Sequence, residues 1–354
     1  KRGVESAEFV FLCLATPQSE NGSADLSILM SAVESISLLV KSGSVVITKS
    51  TVPIGTFSEI ERVLNRSDVS VASNPEFVRE GSAVLDFMQP DRIVIGSRDE
   101  GTSRRVASIY SELDAPVLIT DPASAETIKH ASNSFLAIKL SYINAIAIIC
   151  EMYGADALDV AAGMGLDHRI GSEFLKPGPG WGGSCFPKDT SALLFMANQK
   201  GYKFAILREA VAVNQVVQDR IIEKIYNLVG GSIDGKQIAI WGLTFKANTD
   251  DLRDSPAVKI VSRLLALGAR VNCYDPATFE IPAQIIQANI SRSASESCQD
   301  AELLVVLTEW LEFSLVQPTQ VAESMSSLNV FDCRNILNRD KWINAGFSYQ
   351  GLGR

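Results

Sequence analysis

One short segment of the chain, residues 176–190, combines the residue types that could carry out covalent chemistry. It contains four glycines and three prolines, a composition that does not occur in the interior of a regular helix or strand. The residues from Pro187 to Lys200 predict a helix, and a proline suits the first position of a helix. Cys185 would therefore lie at the helix N-terminus beside Lys188, where the nucleophilic thiolate is favoured. A single cysteine is more often a buried structural residue, but the glycines, Lys188 and Asp189 favour chemistry.

The same segment contains a formal match to a dinucleotide-binding pattern. Residues Gly178 to Gly183 fit G-x-G-x-x-G, but that fingerprint requires a strand before it and a helix immediately after it. Lys176 and Pro177 precede the match, and no β-branched run does. We therefore predict a substrate loop whose backbone approaches a ligand closely.

A second group of candidates lies on a long predicted helix. It begins at Asp121 and Pro122, which suit the N-cap and first helical positions, and continues to about Tyr153. Lys129 and Asn133 are four residues apart and therefore lie on one face. Both side chains can donate hydrogen bonds to a developing oxyanion, although such a pair alone would more often form a solvated helix face.

Residues 1–122 alternate predicted strands and helices, which indicates a parallel, doubly wound sheet. Three polar loops follow strands in this part, at the edge of the sheet where ligands bind; they are Thr16-Pro17, Lys49–Pro53 and Asn74–Glu80. No glycine-rich turn precedes the first strand at Phe9–Leu14. Either the cofactor is held in another way or an amino-terminal part is missing from this sequence, and we favour the second explanation.

Composition excludes several classes of protein. The 354 residues carry a net charge of −9 and 46% apolar residues, which indicates an ordinary globular protein of about two or three domains without a nucleic-acid-binding surface. No signal peptide is recognised, and no apolar run is long enough to span a membrane. Six scattered cysteines and two histidines predict no metal site and a reducing cytoplasm.

Taken together, the loops resemble the UDP-glucose 6-dehydrogenase branch of the nucleotide-sugar dehydrogenases. The matching segments are Thr16-Pro17, Lys49–Pro53, Asn74–Gly81, Lys129–Asn133, Arg169–Gly171, Gly178–Asp189, Phe245–Arg253 and Asp332–Asn335. Each segment is weak alone, but together and in this order they are specific. The family's opening strand, glycine finger and next βα unit are lacking, which, at about 30 residues per βαβ unit, corresponds to an amino-terminal truncation. Small departures are Cys333 for a usual glycine, Trp181 for another aromatic residue, and Ala15 for a usual glycine or asparagine.

The resemblance implies an α/β fold with two Rossmann-like doubly wound domains, joined by a long central helix and a small helical domain. Residues 1–122 would form the NAD-binding domain, which is incomplete at its amino terminus. Residues 123–229 would form the central helical and dimerisation domain with the cysteine loop. Residues 230–354, which begin at a Gly230-Gly231-Ser232 linker, would form the α/β domain that binds the UDP-sugar.

The activity implied is the oxidation of UDP-glucose to UDP-glucuronate by two NAD molecules, through an aldehyde and a thioester. The nucleophile would be Cys185. Lys129 and Asn133 would stabilise an oxyanion, and Lys129 could equally exchange the alcohol proton. Asp189 and Thr51 would hold a water molecule, and Glu76 would act as the base for thioester hydrolysis. In isolation, each of these residues would more often have a structural or surface role.

The resemblance also assigns residues to the two ligands. Thr16, Pro17, Ser50, Glu80, Lys188 and Arg253 would bind NAD. Arg169, Phe174, Leu175, Lys176, Gly182, Phe245, Lys246 and Arg334 would bind the UDP-sugar. In the family, the arginine that matches Arg169 reaches the sugar from a neighbouring subunit, so a homodimer or larger homo-oligomer is expected. Arg169 and Arg334 could otherwise form surface ion pairs of little energetic value, and His130 and His168 are expected to be structural.

Two alternatives remain open. The substrate could be GDP-mannose or UDP-N-acetylmannosamine, although Arg169–Gly171, Phe174–Lys176 and Ser184–Pro187 favour UDP-glucose. The chain could instead be an inactive nucleotide-sugar-binding fragment, because without the glycine finger it lacks the backbone donors that normally bind a pyrophosphate.

Overall fold

The computed structural model describes residues 2–278 and 280–354, and the chain forms two compact units. The first unit comprises Lys1–Phe135 and Lys188–Phe204, and the second comprises Leu136–Pro187 and Ala205–Arg354. Two helices belong partly to each unit; they are α6 (Pro122–Tyr153) and α8 (Phe186–Gln199). The division into three domains at residues 122 and 229 stays a prediction.

The first unit contains a five-stranded sheet with the strands in chain order. Its strands are β1 (Phe9–Leu12), β2 (Val45–Thr48), β3 (Ser70–Ser73), β4 (Ile93–Gly96) and β5 (Val117–Thr120). Its smaller helices are α1 (Arg2–Ser6), α2 (Ser27–Ser37), α3 (Thr56–Leu64), α4 (Ala83–Met88) and α5 (Glu100–Ser108). Helix α2 has Leu26 at its N-cap position, and the carboxylate of Asp25 accepts a hydrogen bond from the Ser27 N–H at 2.8 Å.

The predicted all-parallel arrangement of this sheet was wrong at one position. Strands β1, β2 and β3 are parallel, and so are β4 and β5, but β4 runs antiparallel to β3. The connection between β3 and β4 contains only the six-residue helix α4. Such a helix is about 9 Å long, too short to cross back over the sheet as a parallel connection requires.

Helix α6 begins as the sequence predicted. The carboxylate of Asp121 accepts a hydrogen bond from the Ser124 N–H at 2.9 Å, and the helix continues for 32 residues. By length and mean hydropathy (1.6 over 18 residues) it could cross a membrane. The prediction that no apolar run is long enough to span a membrane therefore does not hold for this helix. Its buried polar side chains, which bond to other parts of the protein, are instead typical of the core helix of a globular protein.

In the first unit these polar residues form one stripe, defined by Glu126, Lys129, His130 and Asn133. Their spacing of i, i+3, i+4 and i+7 places them on one face of α6, and each is at most 8% exposed. Because unpaired buried polar groups are costly, each of them needs a partner in a neighbouring segment of the unit.

The second unit contains a six-stranded sheet in which all neighbouring strands are parallel. Its strands are β6 (Gln237–Trp241), β7 (Arg270–Tyr274), β8 (Asn289–Ile290), β9 (Leu303–Val306), β10 (Asn329–Asp332) and β11 (Ser348–Gly351). The helices are α7 (Ala157–Gly165), α9 (Ala205–Leu228), α10 (Pro256–Ala266), α11 (Ala294–Ser297), α12 (Leu311–Leu315), α13 (Pro318–Ser324) and α14 (Arg339–Asn344), with a 3₁₀ turn at Ala283–Ile285.

The strand order of this sheet is β11-β10-β9-β6-β7-β8, the Rossmann order. Successive strands are added in one direction from β6 to β8 and in the opposite direction from β9 to β11. A crevice forms between β6 and β9, where this direction changes, beyond the carboxyl ends of the strands. Gly242 lies there with φ of +94°, and a Cβ atom on it would lie 2.4 Å from Cβ of Thr308. The carboxylate of Asp275 accepts hydrogen bonds from the amides of Leu243 and Thr244 at 2.7 and 3.0 Å, which fixes the loop after β6.

We predict that Gly242→Ala destabilises the protein by about 2–4 kcal/mol, because it combines a positive φ with a steric overlap against Thr308. The matched control is Gly235→Ala, which has φ of +75° but nothing within 4 Å of its added Cβ and should lose only about 1–2 kcal/mol. Urea unfolding of both variants measures the two losses. Equal losses would show that the contact with Thr308 adds nothing to the cost of the positive φ.

A second prediction concerns pH. Burial raises the pKa of Glu126 from its ordinary 4.5 to about 7, although the amides of Gly55 and Phe57 act to lower it. Between pH 4.5 and about 7 the folded state therefore keeps a proton that the unfolded state releases. This carboxyl group stabilises the fold most below pH 4.5 and loses that contribution, about 3 kcal/mol, as the pH rises to 7.

Glu126→Gln should remove this dependence, because an amide does not titrate. The free energy of unfolding, measured by urea at pH 5 and pH 8, should decrease more with pH in the unmodified protein than in the variant. Glu100→Gln, which changes a carboxylate that is 70% exposed, serves as the control. The same pH dependence in all three proteins would contradict the assignment.

Candidate active site

The loop that carries Cys185, residues 176–190, is held in the second unit by polar side chains of two helices. Asn144 on α6 accepts a hydrogen bond from the Gly178 N–H at 2.9 Å. Ser141, also on α6, accepts one from the indole N–H of Trp181 at 2.9 Å. Asn214 on α9 bonds to both the N–H and the carbonyl of Trp181, at 2.8 and 3.0 Å. The loop therefore has a defined conformation despite its glycine content.

Two glycines of this loop allow it to contact the segment after β6. A Cβ atom on Gly182 would lie 2.2 Å from the carbonyl oxygen of Asp254, and one on Gly183 would lie 2.8 Å from the ring of Phe245. The Gly183 N–H also donates to the carbonyl of Arg253 at 2.9 Å. Sequence analysis predicted a close approach of this backbone to a ligand, and at Gly182 the close neighbour is the protein's own backbone.

Cys185 immediately precedes helix α8, as predicted, and its side chain is half-buried. Its Sγ lies 3.5 Å from Oγ of Ser184. Burial raises the pKa of Cys273, Cys298 and Cys333, so these thiols are inert and structural. Cys185 combines partial accessibility with a helix N-terminus, which is the environment of a reactive thiol.

In the first unit, four of the predicted catalytic residues form two bonded pairs. Nζ of Lys129, which is 4% exposed, lies 3.2 Å from Oε1 of Glu76. The amide of Asn133 donates to Asp189 at 2.5 Å, and the other carboxylate oxygen of Asp189 accepts from Lys188 at 2.9 Å. Asp189 lies in the first turn of α8 and is 1% exposed. An ammonium, an amide and two carboxylates are therefore held by hydrogen bonds in this part of the first unit.

The loops after β1 and β2 are joined by side-chain hydroxyl groups. Thr16 donates to the carbonyl of Thr51 at 2.7 Å. Ser50 donates to the carbonyl of Leu14 at 2.6 Å and accepts from the Leu14 N–H at 2.8 Å. Pro17 is exposed beside them. The hydroxyl protons of Thr16 and Ser50 are thus used within the protein, while their oxygens keep the capacity to accept.

This edge of the sheet fits an anionic dinucleotide. It brings together the carboxyl ends of three parallel strands, the usual position of nucleotide ligands. Lys188 supplies a cation, and the carboxylate of Glu80, which is half-buried, is suited to ribose hydroxyl groups. Arg253 lies in the second unit, where its exposed side chain pairs with Asp251 at 2.9 Å.

Sequence analysis missed a hydrogen-bonded group at the same edge, formed by the half-buried Lys49 with Asn74 and Tyr110. Nζ of Lys49 donates to Oδ1 of Asn74 at 3.0 Å, and the hydroxyl of Tyr110 contacts the same oxygen. Burial lowers the pKa of Lys49 to about 8, although the nearby carboxylate of Glu76 acts to raise it. The available signal was positional, because Lys49 and Asn74 each directly follow a buried strand.

Arg334 lies at the crevice of the second sheet. Its Nε donates to the carbonyl of Leu307 at 2.9 Å and its Nη2 donates to the carbonyl of Phe245 at 3.2 Å. Nε also lies 3.0 Å from the carboxylate of Glu309, and a Cβ on Gly178 would lie 2.9 Å from Nη1. Arg334 is only 16% exposed, so it connects the loops that follow three neighbouring strands.

The other predicted substrate residues differ in their surroundings. Arg169 is 78% exposed and forms a 2.6 Å ion pair with Asp167. Phe174 has φ of +62° and packs against the ring of Phe186. Leu175 is buried in an apolar cluster with Ile143 and Ala161, so its side chain packs in the core. Lys176 is exposed, and Lys246 lies with Nζ 5.6 Å from the ring centroid of Phe245.

Comparison with known protein families gives matches along most of the chain. Residues 1–114 match the NAD binding domain of the UDP-glucose/GDP-mannose dehydrogenase family, residues 123–216 match its central domain, and residues 239–339 match its UDP binding domain. The UDP-glucose 6-dehydrogenase of Rhizobium meliloti is 43% identical over 365 aligned positions, which cover 100% of this chain and 84% of that protein.

Two solved structures have the same fold. The UDP-glucose dehydrogenase of Pyrobaculum islandicum is 33% identical with a TM-score of 0.90, covering 99% of this chain and 81% of that one. The UDP-D-ManNAc dehydrogenase of Pyrococcus horikoshii is 25% identical with a TM-score of 0.88, covering 100% and 82%. The predicted α/β fold with Rossmann-like sheets is thereby confirmed. The chain belongs to the UDP-glucose/GDP-mannose dehydrogenase family of NAD-dependent oxidoreductases.

Proposed function

We propose that the protein oxidises UDP-glucose to UDP-glucuronate in two successive two-electron steps. The observation that carries this proposal is the half-buried Cys185 at the N-terminus of α8, four residues before the buried carboxylate of Asp189. An alcohol dehydrogenase needs no such nucleophile. The oxidation of an aldehyde to an acid does, because an aldehyde releases hydride readily only after a nucleophile has made its carbon tetrahedral.

In this mechanism the sulfur of Cys185 adds to the carbonyl carbon of the aldehyde and forms a thiohemiacetal. Loss of hydride from that carbon leaves a thioester, and attack by water breaks the carbon–sulfur bond and releases the acid and the thiol. NAD, when bound, accepts the hydride in both oxidations. The protein must therefore bind the anionic oxygen of each tetrahedral species and later deliver one activated water molecule.

The buried polar residues of the first unit suit these tasks. Lys129 and Asn133 would donate to the oxyanion, and Lys129 could also take up the alcohol proton of the first step. Asp189 and Thr51 would orient the water, and Glu76 would accept its proton. Lys129 is paired with Glu76, and Asn133 is paired with Asp189. These pairs support the proposed roles, because each donor to the oxyanion lies beside a carboxylate that would act on the water.

The ligand assignments complete the proposal. NAD would be held by Thr16, Pro17, Ser50, Glu80, Lys188 and Arg253. The UDP-sugar would be bound by Phe174, Leu175, Lys176, Gly182, Phe245, Lys246 and Arg334. A homodimer or larger assembly would bring Arg169 of one subunit to the sugar of its neighbour, and its high exposure in a single chain supports that role. We place the reaction in the cytoplasm.

The alternative substrate with specific support is UDP-N-acetylmannosamine. A solved dehydrogenase whose title names UDP-D-ManNAc is nearly as similar in fold as the UDP-glucose dehydrogenase, with TM-scores of 0.88 and 0.90. Sequence identity favours UDP-glucose, with 33% against 25% for these two structures. GDP-mannose is a further possibility within the family.

We expect Cys185→Ser to lower the rate of acid formation by roughly 10³-fold or more, because serine lacks the thiolate. Bound aldehyde should accumulate, and it can be trapped with a hydrazine and identified by mass spectrometry. The control is Cys13→Ser, which alters an exposed cysteine and should keep full activity. Normal acid production by Cys185→Ser would contradict the covalent mechanism.

The substrate assignment predicts that UDP-glucose yields two NADH molecules per sugar, with a larger kcat/KM than UDP-N-acetylmannosamine or GDP-mannose. NADH absorbance under identical conditions provides the comparison for all three sugars. Preferential turnover of either alternative would refute UDP-glucose as the substrate while leaving the covalent chemistry intact.

A further inference from the structure

The segment Thr51–Phe57, here named the Thr51 loop, connects β2 to α3 and is attached to α6 by two side chains that have no catalytic role in the proposed mechanism. These are Glu126 and His130, which are 3% and 1% exposed. Both belong to the polar stripe of α6 in the first unit. Their hydrogen bonds to the loop are made with backbone groups and therefore fix the position of the loop; His130 also lies near the carboxylate of Asp189.

Glu126 replaces the N-terminal cap that α3 lacks. Both of its carboxylate oxygens accept hydrogen bonds, from the Gly55 N–H at 2.6 Å and from the Phe57 N–H at 2.8 Å. Gly55 occupies the N-cap position with φ of +101° and has no side chain to serve as a cap. The first amides of a helix need an acceptor, and here a carboxylate from another helix provides it.

His130 holds the other end of the loop. Its Nε2 lies 2.9 Å from the carbonyl oxygen of Val52, the residue next to Thr51. Burial lowers the pKa of His130, so the ring is neutral at physiological pH and donates one proton to this carbonyl. The Thr51 carbonyl in turn accepts from Thr16 at 2.7 Å, so the loop is fixed from two sides.

The positions along α6 connect these contacts to the chemistry. Glu126 and His130 alternate with Lys129 and Asn133 on one helical face, within about two turns of a helix that rises 1.5 Å per residue. The residues that hold the Thr51 loop and the residues proposed to bind the oxyanion are thus parts of one rigid element. A displacement of the loop relative to α6 would move Thr51 away from the position in which the proposed mechanism requires it to orient a water with Asp189.

We infer that Glu126 and His130 are positioning residues that hold Thr51 for the hydrolysis of the thioester. This inference rests on the proposed function. It predicts a selective effect, because formation of the thioester depends on Cys185, Lys129 and Asn133, whereas its hydrolysis also requires the oriented water. A misplacement of about 1 Å is sufficient to slow a step by about 10²-fold.

The test is a rapid-quench experiment with UDP-glucose and excess NAD, carried out on the unmodified protein, Glu126→Gln and His130→Leu. Glu126→Gln keeps the shape and one acceptor but turns an amide group toward a backbone N–H. We expect both variants to form NADH in a normal initial burst, followed by a steady state that is about 10- to 100-fold slower. The thioester should accumulate and be detected as added mass on the protein.

Glu100→Gln is the control for the carboxylate-to-amide change, and it should show neither accumulation nor a slower steady state. A double-mutant cycle with Thr51→Val tests the route of the effect, because Glu126→Gln should add little once the hydroxyl is absent. If Glu126→Gln does not fold, His130→Leu still tests the inference, since it removes the hydrogen bond to the Val52 carbonyl while Glu126 continues to hold Gly55 and Phe57.

The outcomes distinguish a failure of the proposed function from a failure of the positioning roles of Glu126 and His130. An unmodified protein that does not produce two NADH molecules per sugar would refute the proposed function. A working unmodified protein with variants that retain the normal steady state would overturn the positioning roles. The same would follow from variants that slow the burst and the steady state equally, or from full additivity with Thr51→Val.

Discussion

The positions of several loops depend on one helix, α6, whose buried polar side chains need hydrogen-bond partners. Helix α6 carries seven buried polar side chains within 19 residues: Glu126, Lys129, His130, Asn133, Ser134, Ser141 and Asn144. All of them except Ser134 bond to segments outside the helix. An unpaired buried donor or acceptor costs about 1–3 kcal/mol. Each side chain therefore fixes the segment that supplies its partner, and the partners include the loops proposed to carry the chemistry.

This arrangement explains how irregular segments can hold a precise geometry. Loops are ordinarily mobile because they bury little apolar surface, and the Cys185 loop is rich in glycine. Asn144, Ser141 and Asn214 nevertheless bond its backbone and its tryptophan. Gly182 and Gly183 then let it approach the segment after β6 more closely than any side chain would allow. The hydrogen bonds hold the loop in place, and the two glycines allow its close contact with the segment after β6.

Much of this organisation could be predicted from local sequence. The features that were missed are those that local sequence patterns do not encode. The start of α6 at Asp121, the helix after Cys185 and the loops at strand ends follow from capping, proline placement and apolar runs, which are local properties. The antiparallel β4 was missed because its apolar run is the same for either direction. The two-residue strand β8 is too short to give a pattern, and the roles of Glu126 and His130 depend on backbone partners more than 65 positions away.

The pairing of Lys129 with Glu76 has a further consequence for the proposed cycle. The two groups are 3.2 Å apart, with side-chain exposures of 5% and 28%, so their attraction is less screened than it would be in water. When an oxyanion forms on the sugar, it competes for the same ammonium and releases Glu76 from that bond. In the proposed mechanism, Lys129 therefore has two competing partners, the carboxylate of Glu76 and the oxyanion of each tetrahedral species.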